Sequence, residues 1–156
     1  MQGLPDGQAE GVLMQALEKL KPLALLLARI AVGVIFIYHG LPKLTHAQQW
    51  VQNFHHMGLP GYFAYIAGIL EVFGGGLLIV GLFTRIVGLL LAIEMGVALV
   101  QVHGIASNPS NVHGYEFPLA LCVLSFVLAT VGAGTVSIDQ MLFERRSGGA
   151  AVRKRA

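Results

Sequence analysis

The sequence predicts an all-α integral membrane protein, a bundle of four transmembrane helices, and three observations lead to this prediction. The 156 residues are 55% hydrophobic and only 12% charged, whereas soluble domains carry about 25% charged residues. The apolar residues gather in four runs, each close to the roughly 20 residues that cross the hydrocarbon core of a bilayer. These runs do not alternate between apolar and polar residues, which excludes membrane-spanning strands.

The apolar runs divide the chain into three regions. Residues 1–21 form a cytoplasmic N-terminal segment, residues 22–136 hold the transmembrane domain, and residues 137–156 form a basic cytoplasmic tail. The predicted spans within the domain are residues 22–40, 62–82, 85–103 and 117–134. Small residues within the spans, such as the three glycines at 74–76, mark faces where helices can approach closely in lipid.

Two segments beside the spans have helical patterns of their own. The apolar residues of segment 9–21 fall on one helical face: Val12, Leu13, Ala16, Leu17 and Leu20. This pattern predicts either an amphipathic helix lying at the membrane interface or a simple extension of the first span, and both interpretations remain open. After the last span, Ser137 is a suitable helix N-cap, which predicts a short amphipathic helix on the cytoplasmic surface.

Basic residues flank the spans unevenly. Lys19 and Lys21 precede the first span, and Arg85 lies between the second and third. The tail adds Arg145, Arg146, Arg153, Lys154 and Arg155. Only Lys43 lies between the first and second spans. Because cytoplasmic segments are enriched in Lys and Arg, we expect both termini in the cytoplasm and the 40–61 and 104–116 loops outside.

Three ionisable residues lie inside the predicted spans: Arg29, Glu71 and Glu94. Each costs at least about 2.5 kcal/mol at the bilayer centre, so each needs a partner or a function. The helical rise puts all three roughly 10–15 Å from the cytoplasmic ends of their spans. We therefore expect them to meet at one level, either as a proton-exchanging carboxylate pair beside a redox or transport site or as a structural clasp between helices. The two interpretations are compatible.

The histidines form a second group of candidates. All six fall in the outer half of the bundle or the outer loops: His39, His46, His55, His56, His103 and His113. Together with Glu116 they can contact a ligand such as a quinone carbonyl, bind a metal or simply be solvated. The adjacent pair His55 and His56 does not have zinc-type spacing, and we predict no metal site.

Several classes of function are excluded by what the sequence contains. A single cysteine, Cys122, leaves no dithiol pair for thiol chemistry within one chain. The net charge is only +2 and no basic stripe is present, so we expect no nucleic-acid partner. Phosphate-binding, dinucleotide and nucleophile-elbow motifs are missing as well.

Three stretches together resemble a known family. They are ARIAVGVIFIYHGLPKL in the first span, GLPGYFAYIAGILEVFGGGLLIVGLFTR through the second and NVHGYEFPLALCVLSFVLATVGAGTVSID through the fourth. Together with the third span, these stretches cover residues 25–139, and this part of the chain is similar to the DoxX/DoxD-like family of small four-helix bacterial inner-membrane proteins. The family pattern maps onto His39, Gly40, Lys43, Glu71, Gly74, Gly75, Arg85, Tyr115 and Glu116.

The resemblance implies a redox role in the inner (plasma) membrane. One branch of the family is similar to the quinone-reacting subunit of a thiosulfate:quinone oxidoreductase, and another gathers superoxide-detoxifying and sulfur-handling proteins. The first hypothesis is therefore an oxidoreductase subunit that uses quinone, without a covalent cofactor, and works with partner proteins. Its predicted catalytic residues are Glu71, Glu94 and Arg29, and its predicted ligand-binding residues are His39, Lys43, His103, His113 and Glu116.

Two other hypotheses remain open at this stage. A non-enzymatic scaffold that docks redox or detoxification proteins would have a sealed bundle and would bind partners through its loops and basic tail. A small transporter would need to form a homo-oligomer, because four helices enclose only a narrow lumen, and the sequence has no convincing inverted repeat.

Overall fold

The computed structural model describes residues 6–102 and 110–144, and this part of the chain is helical without strands. The five α-helices are α1 (Asp6–Thr45), α2 (Ala47–His56), α3 (Phe63–Val80), α4 (Thr84–Gln101) and α5 (Val112–Val131). A single π-helical turn follows at Gln140–Glu144. Four of the helices, α1, α3, α4 and α5, are long and apolar enough to span a bilayer, which confirms the predicted four-helix bundle.

The helix boundaries differ from the prediction at both ends of the chain. Helix α1 is continuous over 40 residues, so segment 9–21 is an extension of the first span and not a separate helix. It also continues through Pro42 to Thr45, five residues beyond the predicted end. Helix α5 begins at Val112 and contains Pro118 in its second turn, whereas we expected that proline near the start of the helix.

Helix α2 lies within residues 40–61, for which the apolar runs of the sequence predict a loop. It has ten residues, six of them polar, and none is fully buried. We call the end of the bundle that carries it the α2 end. The opposite end, which contains the turn between α3 and α4, is called the turn end.

Glycines bring α1 and α3 into backbone contact. A Cβ atom built on Gly33 would lie 2.5 Å from the carbonyl oxygen of Gly75, and one on Gly75 would lie 2.6 Å from the carbonyl oxygen of Gly33. Helices α4 and α5 approach in the same way, because a Cβ on Gly88 would lie 2.8 Å from the carbonyl oxygen of Ser125. The bundle therefore consists of two tightly packed helix pairs, α1 with α3 and α4 with α5.

The two pairs meet around an apolar core that lies at the turn end and in the middle of the bundle. The core cluster is Val32, Phe36, Leu78, Val87, Leu91, Met95, Leu121 and Leu128. The connection between α3 and α4 is tight: Gly81 ends α3 with φ = 71°, and Phe83 also has a positive φ of 53°. Asp139, from the segment after α5, accepts hydrogen bonds from the backbone N–H groups of Phe83 at 2.7 Å and Thr84 at 2.9 Å.

Candidate functional site

A cavity of about 760 Å³ lies between the helices toward the α2 end. All five α-helices contribute to its wall, which is mostly apolar and aromatic; α1 supplies Phe36, α2 supplies Trp50 and Phe54, α3 supplies Phe63, and α5 supplies Phe117. Sites for small molecules have volumes of about 300–1,000 Å³ with mainly apolar walls and few polar groups. The cavity fits that description in size and composition.

An ion pair forms the polar part of the cavity wall. The ammonium group of Lys43 donates a hydrogen bond to Oε2 of Glu71. The Lys43 side chain is 13% exposed and that of Glu71 is 2% exposed, so the pair is shielded from water. Lys43 Nζ also lies 5.5 Å from the centroid of the Trp50 ring, where the face of an indole attracts a cation.

Close helix packing positions this pair. A Cβ on Gly40 would lie 2.8 Å from the Cβ of Glu71, so α1 approaches α3 directly at the level of the carboxylate. The continuation of α1 through Pro42 then places Lys43 one turn beyond His39, on the same helical face. Lys43 reaches back along this face to Glu71, and the two side chains meet inside the bundle although Lys43 lies close to the end of α1.

Glu94 on α4 is the second carboxylate of the site. It lines the same cavity and interacts electrostatically with both Glu71 and Lys43. Its Oε2 atom is buried and has no hydrogen-bond partner within the described residues. The cluster of Lys43, Glu71 and Glu94 therefore contains two carboxylates but one ammonium, and Glu94 has a free oxygen for a proton or a ligand donor.

The predicted ligand-binding histidines do not gather in one place. His39 lines the cavity, with its ring 5.7 Å from that of Phe117. His113 instead pairs with Glu116, 3.3 Å away on the exposed first turns of α5, and neither side chain belongs to the cavity wall. His103 lies outside the described residues. Within residues 6–102 and 110–144 there is no group of three potential metal ligands.

The expected meeting of Arg29 with the two carboxylates is wrong. Arg29 is 1% exposed, but its guanidinium donates hydrogen bonds to the carbonyl oxygens of Ala133 and Val136, at 2.8 Å for the latter. It lies at the turn end, because a Cβ on Gly81 would be 2.6 Å from Arg29 Nη1. Glu71 precedes Gly81 by ten residues of α3, which corresponds to about 15 Å along the helix.

The error arose from the depth estimate. A depth of about 10 Å for Arg29 holds only if the first span begins at residue 22. Helix α1 begins at Asp6, and the Arg29 guanidinium reaches the backbone after α5. Lys43, which pairs with Glu71, lies beyond the predicted end of the first span. Neither Trp50 nor Phe54 is among the predicted site residues, yet both line the cavity. Spacing of Trp50, Phe54 and Met57 at i, i+4 and i+7 was the available signal for α2.

Comparisons with known proteins agree with this architecture. The DoxX family model matches residues 24–104, just over half of the chain. A protein of Bacillus subtilis that bears the name "Putative oxidoreductase CatD" is 36% identical over 80% of this chain and 90% of its own length. No solved structure matches the chain.

Two relatives from Escherichia coli extend the comparison. The inner membrane protein YphA is 32% identical over 77% of this chain and 91% of its own length. The inner membrane protein YqjF is 34% identical over 81% of this chain and 97% of its own length. With the family model, the identities and four membrane spans in agreement, the chain belongs to the DoxX family and is a multi-pass protein of the inner membrane.

Proposed function

We propose that the cavity binds the head of a quinone and that the protein is the quinone-binding membrane subunit of a redox system. The observation that carries this proposal is the buried cluster of Lys43, Glu71 and Glu94 on the wall of an otherwise apolar cavity. A quinone is a flat apolar ring with two carbonyl acceptors. It needs apolar walls and a small number of well-placed donors, and the cavity offers both.

Lys43 is the donor best placed for a quinone carbonyl. Its ammonium group has three N–H donors, and within the described residues its side-chain hydrogen bond goes to Glu71. Two N–H groups can therefore serve a ligand. The ion pair and the contact with Trp50 hold the ammonium in place, so that little side-chain entropy is lost when a ligand binds.

Reduction of a quinone consumes two electrons and two protons. Glu94 can hold or deliver one proton, because its buried Oε2 has no partner in the described part of the chain and the negative Glu71 is nearby. His39 lines the same cavity, and an imidazole there can take up or pass on the second proton.

The electrons have to come from a partner protein. The chain has one cysteine and hence no dithiol pair of its own. The oxidoreductase name of the Bacillus subtilis relative supports redox chemistry in this family. The resemblance to the quinone-reacting subunit of a thiosulfate:quinone oxidoreductase supports a donor from sulfur metabolism.

Quinone titration of the purified protein tests the proposal. Trp50 is the only tryptophan in the chain and lines the cavity, so a bound quinone should quench its fluorescence. The double substitution Lys43→Met with Glu71→Gln removes the donor and keeps the net charge. We expect it to weaken binding by roughly 10- to 100-fold, the equivalent of a lost hydrogen bond to a charged group.

The matched control is Lys21→Met with Glu18→Gln, the same chemical change in an exposed ion pair outside the cavity. It should leave quinone affinity unchanged. Glu94→Leu provides a single-residue variant that keeps Lys43 and Glu71 paired, and it should also weaken binding. If the wild-type protein shows no saturable quenching, or if both double variants bind equally well, the quinone site is refuted and the scaffold hypothesis gains.

A further inference from the structure

The cavity is longer than a single quinone ring. On α4 its wall runs from Leu90 to Val102 and on α3 from Phe63 to Glu71, which correspond to about 18 Å and 12 Å along the helices. The volume of about 760 Å³ is in the range of sites for whole drug-sized molecules. A single quinone ring would leave much of this space unfilled.

The charged and polar groups occupy only one part of the wall. Lys43, Glu71, Glu94 and His39 are the ionisable side chains of the lining, and the rest of the lining is apolar or aromatic. Glu71 is the residue of α3 that lies deepest in the cavity, counted from the α2 end. The remaining length of the cavity offers almost no hydrogen bonds, so a polar extension of the ligand would lose its hydration without compensation.

Exposed side chains in the cavity wall point to an opening between α3 and α4. At the turn end the two helices are in contact, since a Cβ on Gly74 would lie 3.3 Å from Val87. Toward the α2 end, Ile66 on α3 and Val97 on α4 both line the cavity, yet they are 51% and 48% exposed on the bundle. Both residues belong to membrane spans, so this gap faces hydrocarbon.

From these observations we infer that the ligand is a quinone with a long apolar tail, whose tail lies along the cavity and passes between Ile66 and Val97 into the lipid. The inference rests on the proposed function and adds the class of quinone and its route of entry. Ile66 and Val97 are both apolar, so the gap between them offers an apolar tail a route to the lipid.

Binding of two quinones with the same ring tests this inference. One has no tail and the other carries a decyl chain, and both are titrated by Trp50 fluorescence in identical lipid nanodiscs. In the wild-type protein, after correction for partition into lipid, we expect the decyl compound to bind more than tenfold more tightly. Ile66→Phe with Val97→Phe narrows the gap and should remove most of that advantage while changing the affinity of the tail-less ring less than about twofold.

The control places the same two phenylalanines on the outer surface. Ile69 and Val100 lie three residues further along the same helices, are 51% and 53% exposed, and do not line the cavity. Ile69→Phe with Val100→Phe should leave both affinities unchanged. If the tail gives no advantage, or if the gap variant keeps it, the inference is refuted while Lys43-dependent binding of the ring would still support the quinone site. If neither quinone binds, both proposals are refuted.

Discussion

Two arginines at the turn end donate hydrogen bonds to backbone carbonyl groups, and one of them is buried while the other is exposed. Arg29 is almost fully buried and bonds the carbonyl oxygens of Ala133 and Val136. Arg85 is exposed and bonds those of Thr130 at 2.8 Å and Val131 at 3.3 Å. Water can replace Arg85 as the hydrogen-bond donor to these carbonyl groups. It can replace Arg29 much less easily, because Arg29 is buried.

We therefore expect Arg29→Leu to lower the free energy of unfolding by roughly 2–3 kcal/mol, because buried carbonyl groups lose charged donors. Arg85→Leu should cost about 1 kcal/mol or less. The measurement is denaturation of the purified protein in mixed micelles, followed by circular dichroism. Equal losses for both variants would contradict the structural role of Arg29. Quinone affinity of folded Arg29→Leu protein serves as a control and should be unchanged, since Arg29 lies outside the cavity.

At the level of residues, the sequence draws attention to two carboxylates that both line the cavity, but it does not predict what pairs with Glu71. Glu71 and Glu94 are conspicuous because a charge inside an apolar run has a high cost. The identity of the partner depends on helix rotation and on how far a long side chain reaches. Lys43 looked like a loop residue, whereas it extends from the end of α1 into the bundle.

Contacts between helices depend on which glycines lie in the interface and not on how many glycines a helix contains. Gly75 packs against the backbone of Gly33 on α1, whereas a Cβ added at the next residue, Gly76, would meet no atom of another element within 4 Å. A methyl group at Gly75 would force the two backbones apart, and overpacking of this kind costs about 1–3 kcal/mol. Gly75→Ala should therefore destabilise the fold, and Gly76→Ala should be neutral or slightly stabilising. Denaturation in mixed micelles separates the two, and similar midpoints would contradict the close contact.

Hydropathy predicted the four spans at the level of elements, but it did not predict α2 or the start of α5. A helix of ten residues with polar positions does not form an apolar run, so residues 47–56 looked like a loop. The pairing of α1 with α3 was also not predictable, because the glycines of segment 74–76 are equivalent in the sequence. Only the orientation of α3 determines which of them meets Gly33.

The arrangement of the whole molecule connects stability to the site. The two helix pairs are held together at the turn end by the apolar core, by Arg29 and by Asp139, which caps the start of α4. Toward the α2 end the pairs diverge and leave the cavity between them. The Lys43–Glu71 ion pair joins α1 and α3 at this space, and Glu94 of α4 lines it. Changes at the turn end should therefore affect stability, whereas changes in the cavity should affect binding.

The placement of basic residues predicts the orientation of the bundle in the membrane. At the described α2 end, residues 41–62 and 110–116, Lys43 is the only Lys or Arg, and its ammonium is engaged with Glu71 inside the bundle. The one basic residue described at this end is thus not exposed on a loop. We expect the α2 end to face outward and the turn end to face the cytoplasm, where Lys19, Lys21 and Arg85 lie. In a Cys122→Ser background, an impermeant maleimide should label Gln52→Cys in intact spheroplasts and label Glu18→Cys only after permeabilisation. Both side chains are exposed on the protein, so the reverse pattern of labelling would show the opposite orientation.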